Sequence, residues 1–306
     1  MMENDLGDVG AVLVDASWLL SRSFHSPAGK GMSVFLDDDE EVMTGDIYGF
    51  VSAVMRIRRA FRKANIILCV DQKGGNYSKK DGASDYKEGR VSAKGQFAKL
   101  DESLAASCLV DGCFVAGADR REGDEIIVSL ARILKQRGTR SVAFATDKDV
   151  KQALGDLDFM FSKFREGEPF EELTAKRMWA EKGIRPEAFA MFQAITGDKV
   201  DAIKGIPKFP KKEAAELSNA FRNPSADMDE NCEALRRVSI KALRAFPKLR
   251  MHIEQVKKNY ELTDMGRVPE EDIRFTRPVG GEEILAKYQL REFSRFVESK
   301  LSKKEE

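Results

Sequence analysis

The segment AVLVDAS (residues 11–17) is an apolar run that ends in a single carboxylate, Asp15. Two further runs share this design: NIILCVD (65–71) ends in Asp71, and SVAFATDKD (141–149) ends in acidic residues. Continuous apolar runs of this length are typical of strands that are buried on both faces. The sequence therefore predicts several buried strands with carboxylates at their carboxyl ends.

Helical segments separate these strands. Apolar residues recur at helical spacing in 46–63 and 123–138, and CFVAGA (113–118) adds a short strand. This alternation predicts an α/β fold, a mostly parallel sheet with helices on both faces. In such sheets the ligand binds outside the carboxyl ends of the strands, where the carboxylates are predicted. We place this core at residues 8–182.

The rest of the chain is predicted to be helical. Residues 186–221 have the pattern of helix, turn and helix, with GIPKFP (205–210) as the connection. No strand is expected after about residue 185. We therefore expect a second, helical C-terminal region at residues 183–306 that contains this helix-hairpin segment.

Composition excludes several classes of protein. The 306 residues are 42% hydrophobic, which is enough for a buried core and does not favour disorder. No run approaches the roughly 20 apolar residues of a membrane helix. The N-terminal sequence MMENDLGDVG is acidic, whereas a secretion signal is basic and then apolar. We expect a cytoplasmic protein with no membrane partner.

The chain has few cysteine and histidine residues that could bind a metal or take part in redox chemistry. Four cysteines form no CxxC pair, and the chain has only two histidines. A structural zinc site needs four such ligands, so zinc is not expected. Any catalytic chemistry should instead depend on carboxylates and lysines.

A formal net charge of zero conceals an uneven distribution. Residues 1–50 carry 2 basic and 10 acidic side chains, whereas residues 51–100 carry 12 basic and 4 acidic ones. Residues 201–250 carry 11 basic and 7 acidic side chains. Two basic zones in a neutral chain suggest a local anionic partner, although solvated helix faces are an ordinary alternative for either zone alone.

The acidic residues are concentrated at the ends of predicted strands and at the starts of predicted helices. Taken singly, each has an ordinary explanation in turn chemistry or helix capping. Together, the strand-end acids and those that open a helix would meet at one edge of the sheet, where carboxylates repel each other. Divalent cations would neutralise such a cluster, and oxygen ligands suit Mg²⁺ or Mn²⁺. The candidates are Asp15, Asp71, Glu122, Asp124, Glu125, Asp147, Asp149, Asp198 and Asp201.

Five acidic blocks in this order resemble the motifs of the 5′-nuclease superfamily. The blocks are VLVDAS, CVDQKGG, EGDE, ATDKD and GDKVD, and the resemblance extends from near the N-terminus to about residue 217. The chain looks most like bacteriophage 5′-3′ exonucleases and flap endonucleases, and it is similar to the 5′-nuclease domain of bacterial DNA polymerase I. The resemblance implies a PIN-like nuclease core followed by a helix-three-turn-helix that binds DNA.

The resemblance also implies two divalent ions, Mg²⁺ or in its place Mn²⁺. The catalytic ion would be held by Asp15, Asp71, Glu122 and Asp124. The second would be held by Glu125, Asp147, Asp149 and Asp198, with Asp201 as a near neighbour. The activity implied is two-metal hydrolysis of phosphodiester bonds in DNA with a 5′ flap or end, including removal of RNA primers from an RNA–DNA hybrid. From the distribution of charge we expect the protein to act as a monomer.

The basic stretch at about 72–100 resembles the base of the family's helical arch. The sequence DYKEGR implies that Lys87 contacts the scissile phosphate, that Arg90 clamps a phosphate and that Tyr86 stacks on a base. Without the resemblance, an exposed basic helix face is the simpler interpretation of Lys87 and Arg90.

Two departures from the family pattern keep other functions open. Glu125 stands where the family usually has Asp, and the turn lacks two glycines of the family's Gly-x-Gly-Pro-Lys. The resemblance implies a K⁺ site at that turn, and duplex binding there would use Lys204, Lys208, Lys211 and Lys212. The alternatives are a non-catalytic binder of DNA structures and a PIN-type ribonuclease.

Overall fold

The computed structural model of the chain describes residues 8–36, 40–71, 98–163, 171–224, 233–265, 268–290 and 292–293. Its strands in chain order are β1 Ala11–Asp15, β2 Ser33–Phe35, β3 Glu41–Met43, β4 Asn65–Cys69, β5 Cys113–Gly117, β6 Ser141–Phe144, β7 Phe159–Lys163, β8 Glu171–Leu173, β9 Gly197–Asp198, β10 Ile203–Lys204 and β11 Arg274–Thr276. The predicted arch, including Tyr86, Lys87 and Arg90, falls mainly on residues 72–97, outside the described residues.

The helices follow the apolar periodicity of the sequence. In chain order they are α1 Ala16–Phe24, α2 Pro27–Gly31, α3 Gly45–Ala60, α4 Leu100–Ser107, α5 Gly123–Gln136, α6 Ala175–Lys182, α7 Phe189–Thr196, α8 Lys211–Phe221, α9 Ile240–Met251, α10 Ile253–Thr263 and α11 Gly281–Lys287. Helices predicted at 46–63 and 123–138 are thus present as α3 and α5. None of the described helices is long and apolar enough to cross a membrane.

A seven-stranded sheet forms the centre, with the spatial order β11-β5-β4-β1-β6-β7-β8. The five strands from β5 to β7 are parallel, and the two edge strands, β11 and β8, are antiparallel to their neighbours. From β1 the chain proceeds to β4 and β5 on one side, and later to β6 and β7 on the other. This reversal places the carboxyl end of β1 at the switch point where such sheets bind ligands.

Both faces of the sheet are buried beneath helices. On β1, Val12 and Val14 belong to one hydrophobic cluster, whereas Ala11 and Leu13 belong to another. The first cluster includes residues of α1, α3, α4 and α11, and the second includes residues of α5 and α6. Successive side chains of a strand point to opposite faces, so helices cover both sides. The predicted α/β architecture is confirmed.

A third hydrophobic cluster holds the helical region together. It joins α7, α8, α9 and α10 through residues that include Ile195, Leu217, Phe246 and Val256. The small hairpin of β9 and β10 connects α7 towards α8. The helix, turn and helix predicted at 186–221 are therefore present as α7 and α8.

The expectation that no strand follows residue 185 is wrong. Strand β11 pairs antiparallel with β5 at the edge of the sheet, and α11 packs against α4. All three residues of β11 are exposed, so this strand has no apolar pattern that a sequence could reveal. Residues 274–287 return to the core, and the division into a core at 8–182 and a helical region at 183–306 stays a prediction.

The aromatic cluster beneath β6 offers a test of the core. Phe144 has no exposed surface and stacks on Phe161 with ring centroids 4.3 Å apart. We expect Phe144→Ala to lower the free energy of unfolding by about 3–5 kcal/mol, because it leaves a cavity between packed rings. In the control Phe275→Ala, on exposed β11, the loss should stay under about 1 kcal/mol in urea unfolding. Equal losses would contradict this packing.

Candidate metal centre and nucleic-acid interface

Asp15 is fixed at the carboxyl end of the central strand by the helix that follows it. It is the N-cap of α1, and its Oδ1 accepts a hydrogen bond from the Trp18 backbone N–H at 2.9 Å. A carboxylate is a favoured capping group because it satisfies an unpaired amide at the start of a helix. The sequence VLVDAS therefore ends a strand, starts a helix and holds a carboxylate at the switch point.

Asp71 connects the starts of two helices. It lies two residues beyond the end of β4, and its Oδ2 accepts a hydrogen bond from Ser17 Oγ at 3.0 Å. Its Oδ1 accepts from the Gly123 backbone N–H at 2.6 Å, at the first residue of α5. The structure thus brings the predicted ligands Asp15 and Asp71 to neighbouring positions, with the acidic start of α5 beside them.

The acids at the start of α5 are engaged in helix capping. Oε2 of Glu125 accepts from the Glu122 backbone N–H at 3.1 Å, and Oε1 lies 3.3 Å from Nη1 of Arg121. Asp124 Oδ1 accepts from the Glu125 N–H at 2.7 Å. Glu125 has only 1% of its surface exposed. Its role as a ligand of the second metal stays a prediction, and in this structure it is a capping residue.

Asp147 and Asp149 follow β6 in a short connection, because the strand predicted at 141–149 ends at Phe144. Oδ1 of Asp147 accepts from the backbone N–H of Asp149 at 2.9 Å. Asp149 is the first residue of a 3₁₀ helix, Asp149–Gly155. This 3₁₀ helix packs against α7, and the chain then enters β7.

Gln193, which the sequence analysis missed, links the core to the helix-hairpin segment. Its Nε2 donates to Oδ1 of Asp149 at 2.6 Å and to Oδ2 of Asp198 at 3.3 Å. The side chain is buried, and its Oε1 has no hydrogen-bond partner among the described residues. A lone amide within the apolar helix FAMFQAIT is the signal that could have revealed it.

Lys148, a second residue that the sequence analysis missed, places a positive charge beside Asp198 and Asp201. Its Nζ forms an ion pair with Oδ2 of Asp198 and lies 3.7 Å from Oδ2 of Asp201. Both aspartates are nearly buried. Lys148 lies between the two acids of ATDKD, and this position was its only sequence signal.

The pKa values of Asp15 and Asp149 are therefore shifted in the opposite direction from that of Asp198. Burial raises the pKa of Asp15 to about 7, and the charges of Asp71 and Asp147 add to this rise against the opposing hydrogen bond from Trp18. Burial and then the charge of Asp147 raise the pKa of Asp149 to about 6. Burial would likewise raise the pKa of Asp198, but hydrogen bonds, first from Lys148, hold it below its ordinary value.

These oxygen donors fit divalent cations by their chemistry. In the part of the chain that the structure describes, no three Asp, Glu, His or Cys side chains are already grouped as a metal cage. The raised pKa of Asp15 nevertheless reflects first its own burial and then the negative charges of Asp71 and Asp147 beside it. A hard divalent ion would relieve that repulsion, and its preferred ligands are carboxylate oxygens.

The predicted DNA-binding lysines lie on the surface of the helix-hairpin segment. Lys204 lies on β10, Lys208 lies in the connection with a positive φ of 51°, and Lys211 and Lys212 open α8. All four are exposed. They provide a basic surface on the segment whose base carries Asp198 and Asp201.

The raised pKa of Asp15 gives a stability test in EDTA. Relative to its ordinary value of 3.8, a folded-state pKa of about 7 means that folding becomes less favourable as pH rises between these values. We expect Asp15→Asn to raise the free energy of unfolding at pH 8 by on the order of 2 kcal/mol, and the thermal midpoint with it, and to have little effect at pH 4. Asparagine also keeps the helix cap.

The control for this measurement is Asp158→Asn, which changes a surface carboxylate paired with Arg140. It should lack the gain at pH 8. Differential scanning calorimetry of both variants at the two pH values decides the question. A loss of stability for Asp15→Asn at pH 8 would contradict the repulsion described above.

Comparison with known proteins identifies the family. The family model of the 5′-3′ exonuclease N-terminal resolvase-like domain matches residues 10–182, more than half of the chain. DNA polymerase I of Pseudomonas aeruginosa is 25% identical over 300 residues, which cover 96% of this chain and 32% of the relative. A 5′-3′ exonuclease of Buchnera aphidicola is 26% identical over 213 residues, covering 69% of this chain and 70% of that protein.

The fold has solved counterparts. A variant of the bacteriophage T5 D15 flap endonuclease, solved as a pseudo-enzyme–product complex with DNA and metal ions, superimposes with a TM-score of 0.58 at 15% identity. The match covers 97% of this chain and all of the other. The present chain spans about a third of the polymerase relatives that it matches. The resemblance inferred from the acidic blocks is confirmed: the chain belongs to the 5′-3′ exonuclease family defined by the N-terminal resolvase-like domain.

Proposed function

We propose that this protein is a Mg²⁺-dependent, structure-specific 5′-nuclease, a 5′-3′ exonuclease and flap endonuclease. It hydrolyses phosphodiester bonds in DNA that carries a 5′ single-stranded flap or end. The observation that carries this proposal is the edge at the end of β1, where Asp15 and Asp71 lie beside the start of α5. Nearby, Gln193 hydrogen-bonds Asp149 to Asp198 of the hairpin.

Two groups of carboxylates would hold the ions. Asp15, Asp71, Glu122 and Asp124 would hold the catalytic ion. The second would be held by Glu125, Asp147, Asp149 and Asp198, with Asp201 beside them. Bound divalent ions supply two functions in phosphodiester hydrolysis, activation of water and stabilisation of the leaving oxygen. Mg²⁺ is the proposed ion, and Mn²⁺ has the oxygen preference to substitute for it.

The side chains around these carboxylates orient them and balance their charge. The Trp18 N–H and Ser17 Oγ hold the carboxyl groups of Asp15 and Asp71, so their orientation does not depend on a bound ion. In the absence of a second ion, the single positive charge of Lys148 offsets part of the negative charge of Asp198 and Asp201. A metal at the second position would have to displace this ammonium group or share the carboxylates with it.

The substrate would be held on the basic surface next to this edge. Lys204, Lys208, Lys211 and Lys212 are exposed on one segment, and phosphate neutralisation by such residues gives salt-sensitive, sequence-independent duplex binding. Gln193 ties that segment to Asp149, so a duplex on the lysines lies at a set position relative to the carboxylates. Tyr86, Lys87 and Arg90 are proposed to contact the single strand and the scissile phosphate.

The relatives support this proposal. The Buchnera aphidicola protein, of similar extent to this chain, is named a 5′-3′ exonuclease. The T5 flap endonuclease variant with the same fold was solved with DNA and metal ions. We further propose that the protein removes 5′ flaps or RNA primers, from RNA–DNA hybrids as well as DNA, and that it acts as a monomer in the cytoplasm.

The two alternative functions lack a supporting observation of equal weight. A PIN-type ribonuclease needs no helix-hairpin segment, whereas here that segment is bonded to the acidic edge. A non-catalytic binder is favoured by the capping role of Glu125 and the ion pair of Lys148. It gives no reason for burying Asp15 beside the charges of Asp71 and Asp147, which would oppose binding of a polyanion.

Cleavage of a 5′-labelled flap duplex tests the proposal. With Mg²⁺ the protein should cut near the flap junction, and with EDTA it should not. We expect Asp147→Asn and Asp124→Asn each to lower turnover by at least about a hundredfold, because even outer-shell partners of a metal matter by 10–100-fold. Both variants should bind the flap duplex in EDTA about as tightly as the wild type.

Asp158→Asn serves as the control, since this acid pairs with Arg140 at the opposite, amino-terminal edge of the sheet. Its turnover should equal that of the wild type. Undiminished turnover in Asp147→Asn would refute the two-metal site. Tight binding by the wild type without any Mg²⁺-dependent cut would favour the non-catalytic binder, and preference for single-stranded RNA would favour the ribonuclease.

A further inference from the structure

The turn after β10 has its backbone carbonyls occupied by donors from the protein itself. Lys204 O accepts from Gln255 Nε2 and from Asn259 Nδ2, each at 2.8 Å. Gly205 O accepts from the same Gln255 group at 3.5 Å, and Pro207 O accepts from Nζ of Lys248. These donors belong to α9 and α10, the C-terminal helices for which the sequence offered no role.

Asn259 acts on two elements at once. Its Nδ2 also donates to the carbonyl of Ala194, in the last turn of α7, at 2.9 Å. The side chain is buried, with 8% of its surface exposed. One amide group therefore joins the end of α7 to β10, and it fixes the angle at which the chain leaves the helix for the turn.

The backbone here is packed too tightly to adjust. Gly197 has a φ of +76°, and a Cβ on it would overlap the backbone nitrogen of Gly205. A Cβ on Gly205 would overlap the Thr196 carbonyl. A turn with such close backbone contacts, at a site where carbonyl groups converge, needs positive charge or hydrogen-bond donors to hold it.

The K⁺ implied by the family resemblance does not fit this donor arrangement. A carbonyl oxygen has two lone pairs, and amide N–H groups use both of those on Lys204 O. Next to it, an ammonium group already contacts Pro207 O. A monovalent ion bound to Lys204 O would have to displace these side-chain donors, and one bound to Pro207 O would lie against the ammonium group of Lys248.

We propose that Lys248, Gln255 and Asn259 are positioning residues that replace a monovalent cation at the DNA-binding turn. They hold the turn in the conformation that presents Lys204 and Lys208 to the phosphate backbone. Duplex binding by this protein is therefore independent of which monovalent cation is present. The part of this inference that concerns DNA rests on the proposed function, whereas the part that concerns the turn does not.

The test is Asn259→Asp, which keeps the shape of the side chain but puts a carboxylate oxygen where an N–H donor faced two carbonyls. Such a cluster of oxygens attracts a cation. We expect the thermal midpoint of the variant to be several degrees higher in KCl than in tetramethylammonium chloride at equal concentration. The wild type should show no difference between the two salts.

The same two salts are then compared by fluorescence anisotropy with a labelled DNA duplex. Wild-type affinity should be equal in both. For Asn259→Asp we expect a loss of about tenfold in tetramethylammonium chloride, since two hydrogen bonds are lost, and substantial recovery in KCl. A purely structural defect would lower affinity equally in both salts.

Asn219→Asp is the matched control, because Asn219 Nδ2 donates to the Gly183 carbonyl, away from the turn. It should show no cation dependence. If Asn259→Asp does not fold, Gln255→Glu makes the same exchange at a less buried position. Wild-type binding or stability that is more than about threefold or several degrees better in KCl would overturn the inference, as would an Asn259→Asp protein that is indifferent to the cation.

These outcomes separate the inference from the proposed function. A wild type that binds no duplex in either salt would refute the proposed DNA-binding role. The thermal midpoints would still decide whether the side chains of α9 and α10 or a bound cation hold the turn.

Discussion

The burial of the Asp15 carboxyl group beside other carboxylates, at the carboxyl edge of the sheet, determines how the rest of this site is built. Asp15 is held in place by capping α1, burial deprives its carboxyl group of solvation, and the charges of Asp71 and Asp147 act on it as well. A protein that retains such an arrangement sacrifices stability at this edge. This loss of stability is explained if divalent cations bind at the edge, because a bound cation offsets the carboxylate charges and stabilises the folded protein.

The helical region is joined to this edge by a few polar side chains. Gln193 and Lys148 connect the core acids to the hairpin acids, and Asn259 connects the hairpin to the C-terminal helices. Hydrogen bonds and an ion pair thus connect the segment that carries the basic surface to the acids that follow β6. A duplex positioned by the lysines is consequently positioned relative to the metal ligands, which is the geometric requirement for cutting at a junction.

The sequence predicted the central strands and the carboxylates at their ends because a buried parallel strand has a strong local signal. It did not predict β11, which is exposed and exists only because β5 offers a free edge. Glu125 matched a metal motif by position, yet its neighbours Arg121 and Glu122 engage it as a cap. Gln193, Lys148 and Asn259 escaped notice because their roles depend on partners from other elements, between 5 and 65 residues away.

Counting and locating the bound ions tests the proposed metal centre. Crystals of the wild type soaked in Mn²⁺ should show anomalous difference peaks at two positions about 4 Å apart, one beside Asp15 and Asp71 and the other towards Asp149 and Asp198. The first position should be the more fully occupied, because Lys148 competes for the second. Clear density for all of these side chains without an anomalous peak beside Asp15 would contradict the account.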